Sequence, residues 1–146
     1  MFPKPEILIP LFCRLFNSKA YEEPHIPIQK HLTVNNILII DDETEVCILL
    51  ENFLIRKNQN VAYSNTLKDG IEKFEHLKPN LLILDHNMPD GNGIENISIF
   101  KKMNKSLKIV IISAMSNLKT EALNKGADYF LEKPISFGML KNILNN

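Results

Sequence analysis

Tryptophan is absent from this 146-residue chain, cysteine occurs twice and glycine five times, and 17 basic residues balance 17 acidic ones. Each scarcity removes a class of protein. Two cysteines, Cys13 and Cys47, cannot staple a scaffold, so the fold must rest on a hydrophobic core, and a reducing cytosol is the expected compartment. Cys47 falls in a helical pattern and is expected as a free, buried thiol. Zero net charge provides no global field to attract nucleic acid or an anionic membrane. The local cluster Lys101, Lys102, Lys105 and Lys108 reads as a solvated helix end, so no nucleic-acid partner is expected. No apolar run approaches the ~20 residues that span a bilayer. The nearest candidate, ILIPLFCRLF at residues 7–16, is broken by Pro10 and Arg14 and lacks the flanks of a cleaved leader. No membrane insertion is expected.

What is present is an ordinary globular composition, 45% apolar and 23% charged, enough for one domain with its own core. Residues 1–34 differ from the rest: YEEPHIPIQKH at 21–31 is rich in proline and charge and reads as linker. The expected division is a tail over 1–34 and a folded domain over 35–146. Within that domain two periods alternate. ILII at 37–40, VAYS at 61–64, LLIL at 81–84, LKIVIIS at 107–113 and YFL at 129–131 are short apolar runs suited to strands covered on both faces. Between them, apolar residues recur every three or four positions: Val46, Leu49, Leu50, Phe53 and Leu54; Leu67, Ile71, Phe74 and Leu77; Ile94, Ile97 and Phe100; and Leu140, Ile143 and Leu144. A weaker helix is expected around Leu118 to Leu123. Thr44 and Ser136 are candidate helix caps. Five β/α units imply an α/β fold with one parallel sheet and helices on both faces.

In such sheets ligands bind beyond the carboxyl ends of the strands, and there the polar residues collect. The first apolar run ends in Asp41 and Asp42, the third in Asp85, the fourth in Ser113, and the fifth is followed by Lys133 and Pro134. A buried strand has no structural need for Asp85. Acidic residues can also cap the first and third helices, which is the plain reading for Asp41 or Asp42 alone. As a set, three carboxylates side by side repel one another unless a cation sits among them. Oxygen donors partly completed by water suit Mg²⁺.

IIDDETE at 39–45, LILDHNMPDGNG at 82–93, IISA at 111–114 and GADYFLEKPIS at 126–136 together resemble the receiver domains of two-component response regulators. The resemblance covers roughly residues 35–146. It implies a flavodoxin-like (βα)5 sheet of strand order 2-1-3-4-5, with Asp85 as phosphoacceptor for a phosphohistidine on a sensor histidine kinase or a histidine phosphotransfer protein. It implies that Asp42 and Asp85 hold Mg²⁺ with the backbone carbonyl of Asn87, and that Asp41 acts through water. Lys133 would meet one phosphoryl oxygen and Ser113 another. Ser113 and Phe130 would form the switch, and a downstream protein would read the face made by the fourth helix, fifth strand and fifth helix. The Lys133–Pro134 bond is commonly cis in this family.

The chain ends at Asn146, so a stand-alone receiver acting through another protein is the expectation. It departs from the family in a short segment between Ser113 and Gly126, which predicts a trimmed fourth helix. Gly91 and Gly93 let the loop after Asp85 turn, with loop mobility the plain reading for Gly91. His86 neighbours Asp85 but takes the opposite strand parity, and His25, His31 and His76 show no ligand spacing. Met115 and Asn87 lie where the phosphoryl lifetime would be influenced. Two other readings stay open. One is a pseudo-receiver that only binds partners. The other is a Mg²⁺-dependent phosphatase of the haloacid-dehalogenase kind, which wants a second acid two residues after its nucleophile, where this chain has Asn87.

Overall fold

A computed structural model of the chain describes residues 35–146. The expected tail over 1–34, with Cys13, His25 and His31, lies outside the described residues. The strands are β1 (Asn36–Ile40), β2 (Asn60–Ser64), β3 (Leu81–Asp85), β4 (Asn87–Met88), β5 (Gly91–Asn92), β6 (Lys108–Ser113) and β7 (Tyr129–Glu132). The helices are α1 (Thr44–Ile55), α2 (Leu67–Leu77), α3 (Gly93–Met103), α4 (Lys119–Asn124) and α5 (Phe137–Leu144). Five strands pair in parallel in the order β2-β1-β3-β6-β7. With the short β4–β5 hairpin set aside, this is the 2-1-3-4-5 order that the resemblance implies.

Strand side chains alternate between faces with a period of two, and the core divides accordingly. Leu38, Ile40, Leu82, Leu84, Ile109 and Ile111 pack with Leu67 and Phe74 of α2, Ile94, Ile97 and Phe100 of α3, and Ala122 of α4. Ile37, Ile39, Leu81, Ile83, Val110, Ile112 and Leu131 pack with Cys47, Leu50 and Leu54 of α1 and with Leu140 and Ile143 of α5. Cys47 is a free, buried cysteine, as expected. Each fully buried Leu or Ile contributes roughly 1.5–3 kcal/mol relative to exposure, so these two layers hold the strand ends in register. Among the described residues no helix is long and apolar enough to cross a membrane.

Several local expectations need correction. Thr44 is the first residue of α1 rather than its cap; Glu43 occupies the cap position and makes no side-chain capping bond. Ser136 does cap α5, its Oγ accepting the Met139 N–H at 3.4 Å. Lys101 is half-buried and paired rather than free in solvent: its Nζ donates to the Leu107 carbonyl at 2.7 Å and to Asp128 at 2.8 Å. Lys108 belongs to β6 rather than to a helix end. Gly91 sits in a two-residue antiparallel ladder, paired with Met88, rather than in a free loop. The trimmed fourth helix is present as a 3-10 turn over Ser116–Leu118 followed by six residues of α4.

Candidate functional site

The register of the sheet assembles the site. Ile39 pairs with Ile83, and Ile40 with Leu84, so Asp41 and Asp85 stand level at the ends of adjacent strands. Both continue the parity of Ile39 and Ile83 and leave the sheet on the α1–α5 side. Lys133 continues the parity of Leu131 on that same side, and its backbone N–H donates to the Ser113 carbonyl at 2.9 Å. The peptide bond from Lys133 to Pro134 is cis. Ser113 follows Ile111 on the opposite face, where Ile111 pairs with Phe130. The structure thus brings Asp41, Asp42, Asp85, Ser113 and Lys133 to one end of the sheet.

One ligand oxygen from each of Asp41, Asp42 and Asp85 can be chosen so that all three lie within 4.8 Å of one another. Asp41 is wholly buried and Asp85 is 4% exposed, whereas Asp42 faces solvent. Lys133 Nζ lies 2.8 Å from Glu43 Oε1, 3.1 Å from Asp41 Oδ2 and 3.4 Å from Asp85 Oδ1. The Asp41 contact is an ion pair without hydrogen-bond geometry, so its buried Oδ2 has no proton donor among the described residues. Asp41 Oδ1 accepts the Glu43 N–H at 2.9 Å. The Asp41 backbone carbonyl takes the Asn65 amide at 2.8 Å and the Cys47 thiol at 3.3 Å.

These surroundings displace the titrations. Burial, then the charge of Asp41, pushes Asp85 up to about 6 against the pull of Lys133. Burial likewise raises Asp41, opposed by the Glu43 N–H and by Lys133. Burial alone would lower Lys133, but its contacts with Glu43 and Asp41 and the nearby charge of Asp85 outweigh that, and the ammonium is held above its usual range. Burial followed by the Asp41 charge pushes Cys47 up to about 11. Three oxygen donors, one buried oxygen lacking a proton and a carboxyl short of countercharge fit a hard divalent cation such as Mg²⁺.

The segment after Asp85 is held by contacts that the sequence reading missed. Asp90, in the turn between β4 and β5, accepts the Leu67 and Lys68 N–H groups at 2.9 Å each and so caps α2 from outside. Slight burial opposes ionisation of Asp90, but the two N–H groups prevail and its carboxyl sits below its usual value. The signal was present: Pro89-Asp90-Gly91 is a turn sequence with a mechanism. Asp90→Ala should cost about 1 kcal/mol of stability at neutral pH. Because the folded-state value is depressed, the difference from wild type should shrink as pH falls through it; denaturant titrations at several pH values check both. Asn92 caps α3 by accepting the Glu95 N–H at 3.2 Å. His86 takes the parity opposite to Asp85, and its buried Nδ1 has no hydrogen-bond partner among the described residues. His76 is exposed in the last turn of α2. Asn87 is exposed in β4, and Ser113 Oγ accepts the Met115 N–H at 3.0 Å.

The response regulator receiver domain model matches residues 37–145. The chemotaxis protein CheY of Thermotoga maritima is 31% identical over 112 residues, which is 75% of this chain and 93% of that protein. The KDP operon transcriptional regulatory protein KdpE of Escherichia coli is 34% identical over 110 residues, 74% of this chain but 48% of that protein. Among solved structures, the signal receiver domain of a LuxO repressor protein from Vibrio parahaemolyticus superposes with a TM-score of 0.69 at 27% identity, covering 76% of this chain and 87% of that one. The beryllofluoride-activated NtrC4 receiver domain dimer gives 0.70 at 27% identity, covering 75% and 92%.

Proposed function

This chain belongs to the response regulator receiver domain family, and from that premise we propose that it accepts a phosphoryl group on Asp85 and relays its arrival to a partner protein. An Oδ of Asp85 forms the new O–P bond as the P–N bond of a donor phosphohistidine breaks. The departing imidazole nitrogen keeps the electron pair of that bond and takes up a proton. A carboxyl raised to about 6 is largely ionised at neutral pH, so Asp85 is available as nucleophile. Asp42 and Asp85, with the backbone carbonyl of Asn87, would hold Mg²⁺, and Asp41 would act through water. When bound, the ion neutralises charge on the transferring phosphoryl oxygens. Lys133 meets one of those oxygens and Ser113 a second. The donor is a sensor histidine kinase or histidine phosphotransfer protein of the cytosol.

Signalling follows as a population shift. Ser113 Oγ, which accepts the Met115 N–H in this structure, is drawn toward the phosphoryl group. Phe130, half-buried on the same face, turns inward behind it. The face that registers this is built from α4, β7 and α5, where Leu123 and Met139 are 41% and 54% exposed.

The observation that carries the reading is the meeting of Asp41, Asp42, Asp85 and Lys133 at adjacent strand ends. Incubation with a small acyl phosphate and Mg²⁺, followed by intact-mass measurement, should show one added phosphoryl group. Asp85→Asn should show none, and neither should wild type with the metal chelated. Wild type that gains no mass would instead support a partner-binding module that is never phosphorylated.

A further inference from the structure

Lys133 is claimed by three carboxylates, and its best-formed contact is with the one that the acidic cluster does not contain. Its Nζ donates to Glu43 Oε1 at 2.8 Å, whereas Asp41 and Asp85 stand at 3.1 and 3.4 Å. Glu43 holds the cap position of α1 yet makes no capping bond. A side chain at that position ordinarily serves the helix by accepting an N–H. Here it is turned to an ammonium 90 residues away in sequence. Helix capping therefore does not account for Glu43.

We propose that Glu43 is the resting counter-ion of Lys133, and that an arriving phosphoryl oxygen must displace it. The inference rests on the phosphoacceptor reading above. An ammonium has three N–H groups, and three carboxylates already surround this one. Only the Glu43 contact has hydrogen-bond geometry, so a phosphoryl oxygen that takes this well-formed bond takes it from Glu43, while Asp41 and Asp85 stay close by charge. Departure is cheapest for a carboxylate that water can rehydrate. The Glu43 side chain is 58% exposed, against 6% for Asp85 and 0% for Asp41. Glu43 is the one that leaves. Its negative charge also repels an approaching phosphoryl donor, so Glu43 raises the donor concentration needed for phosphorylation without touching the reacting atoms.

Glu43→Gln keeps the size of the side chain and removes its charge, and no capping bond is lost with it. The control is Glu45→Gln, which removes the same charge from the exposed first turn of α1. Rates with a small acyl phosphate at saturating Mg²⁺ should show a half-saturating donor concentration about 4-fold lower in Glu43→Gln, the effect of one unit charge at roughly 5 Å in water. The rate at saturating donor should be unchanged. Glu45→Gln should match wild type. A second readout needs no turnover: in the metal-free protein, hydrogen exchange at the Lys133 ammonium, followed by NMR, should be faster in Glu43→Gln than in wild type or Glu45→Gln. Equal half-saturation in Glu43→Gln and wild type would overturn the proposal, and so would equal shifts in both variants or unchanged exchange. Wild type that gains no phosphoryl group at all would instead sink the phosphoacceptor reading.

Discussion

Asp85→Asn is expected to make the metal-free protein more stable at neutral pH, by about 2–3 kcal/mol in denaturant titrations. The folded-state value of Asp85 is about 6 and its unfolded value 3.8, so the folded chain binds the proton more tightly between them. Stability therefore falls as pH rises through that window, and the full penalty is present above about pH 6. Below 3.8 the carboxyl is neutral in both states, and the penalty vanishes. Asparagine has nearly the same shape and cannot ionise, and it leaves Lys133 paired with Asp41 and Glu43. The two proteins should thus be equally stable near pH 3.5 and diverge on the way to neutrality. Added Mg²⁺ should close the gap by stabilising wild type more than the variant, since only wild type presents the third carboxylate. Equal stabilities across the whole range would show that Asp85 is not held in an unfavourable field, and the explanation of its reactivity would go with it.

Gly93→Ala should carry the second large effect, a loss of about 3 kcal/mol and a disturbed phosphoacceptor. A Cβ at Gly93 would lie 2.1 Å from the Asp85 carbonyl oxygen, 3.0 Å from its carbonyl carbon and 3.1 Å from the His86 Cα. All three are backbone atoms, so no side chain can swing aside. The Gly93 N–H also donates to the His86 carbonyl at 2.8 Å, which fixes the start of α3 against the end of β3. Relief must come from moving one of those elements, and moving β3 moves Asp85. Gly138→Ala is the control. There a Cβ would meet only Ser136 Oγ at 3.7 Å, and the helix should gain about 0.5–1 kcal/mol. Thermal and chemical unfolding of both variants, with phosphorylation rates for Gly93→Ala, test the pair. A Gly93→Ala protein as stable as wild type would mean that α3 is free to slide on β3.

Much of this molecule is legible in one dimension. The runs ILII, LLIL and LKIVIIS become β1, β3 and β6 to within a residue at either end, because a strand covered on both faces must be apolar at nearly every position. Asp41, Asp85, Ser113 and Lys133 are found as candidates because each interrupts or follows such a run where no packing requirement explains it. Errors fall where short-range rules are weak. Thr44 looks like a cap from its chemistry, but Asp41 Oδ1 already accepts the Glu43 N–H and the helix starts one residue earlier than that role requires. Lys101 looks free in solvent until Asp128, the residue just before β7, is placed beside it.

The sequence by itself determined the alternation of strands and helices, the two covered faces of the sheet and the polar residues at the strand ends, because each follows from side-chain period and apolar content within a few residues. Only the tertiary structure decided which carboxylate holds Lys133, how Asp90 anchors the hairpin after Asp85, and that Gly93 must lack a Cβ. Those are distances of a few ångströms between residues as far as 90 positions apart. They depend on strand register and on how helices seat against the sheet, quantities that no local pattern encodes.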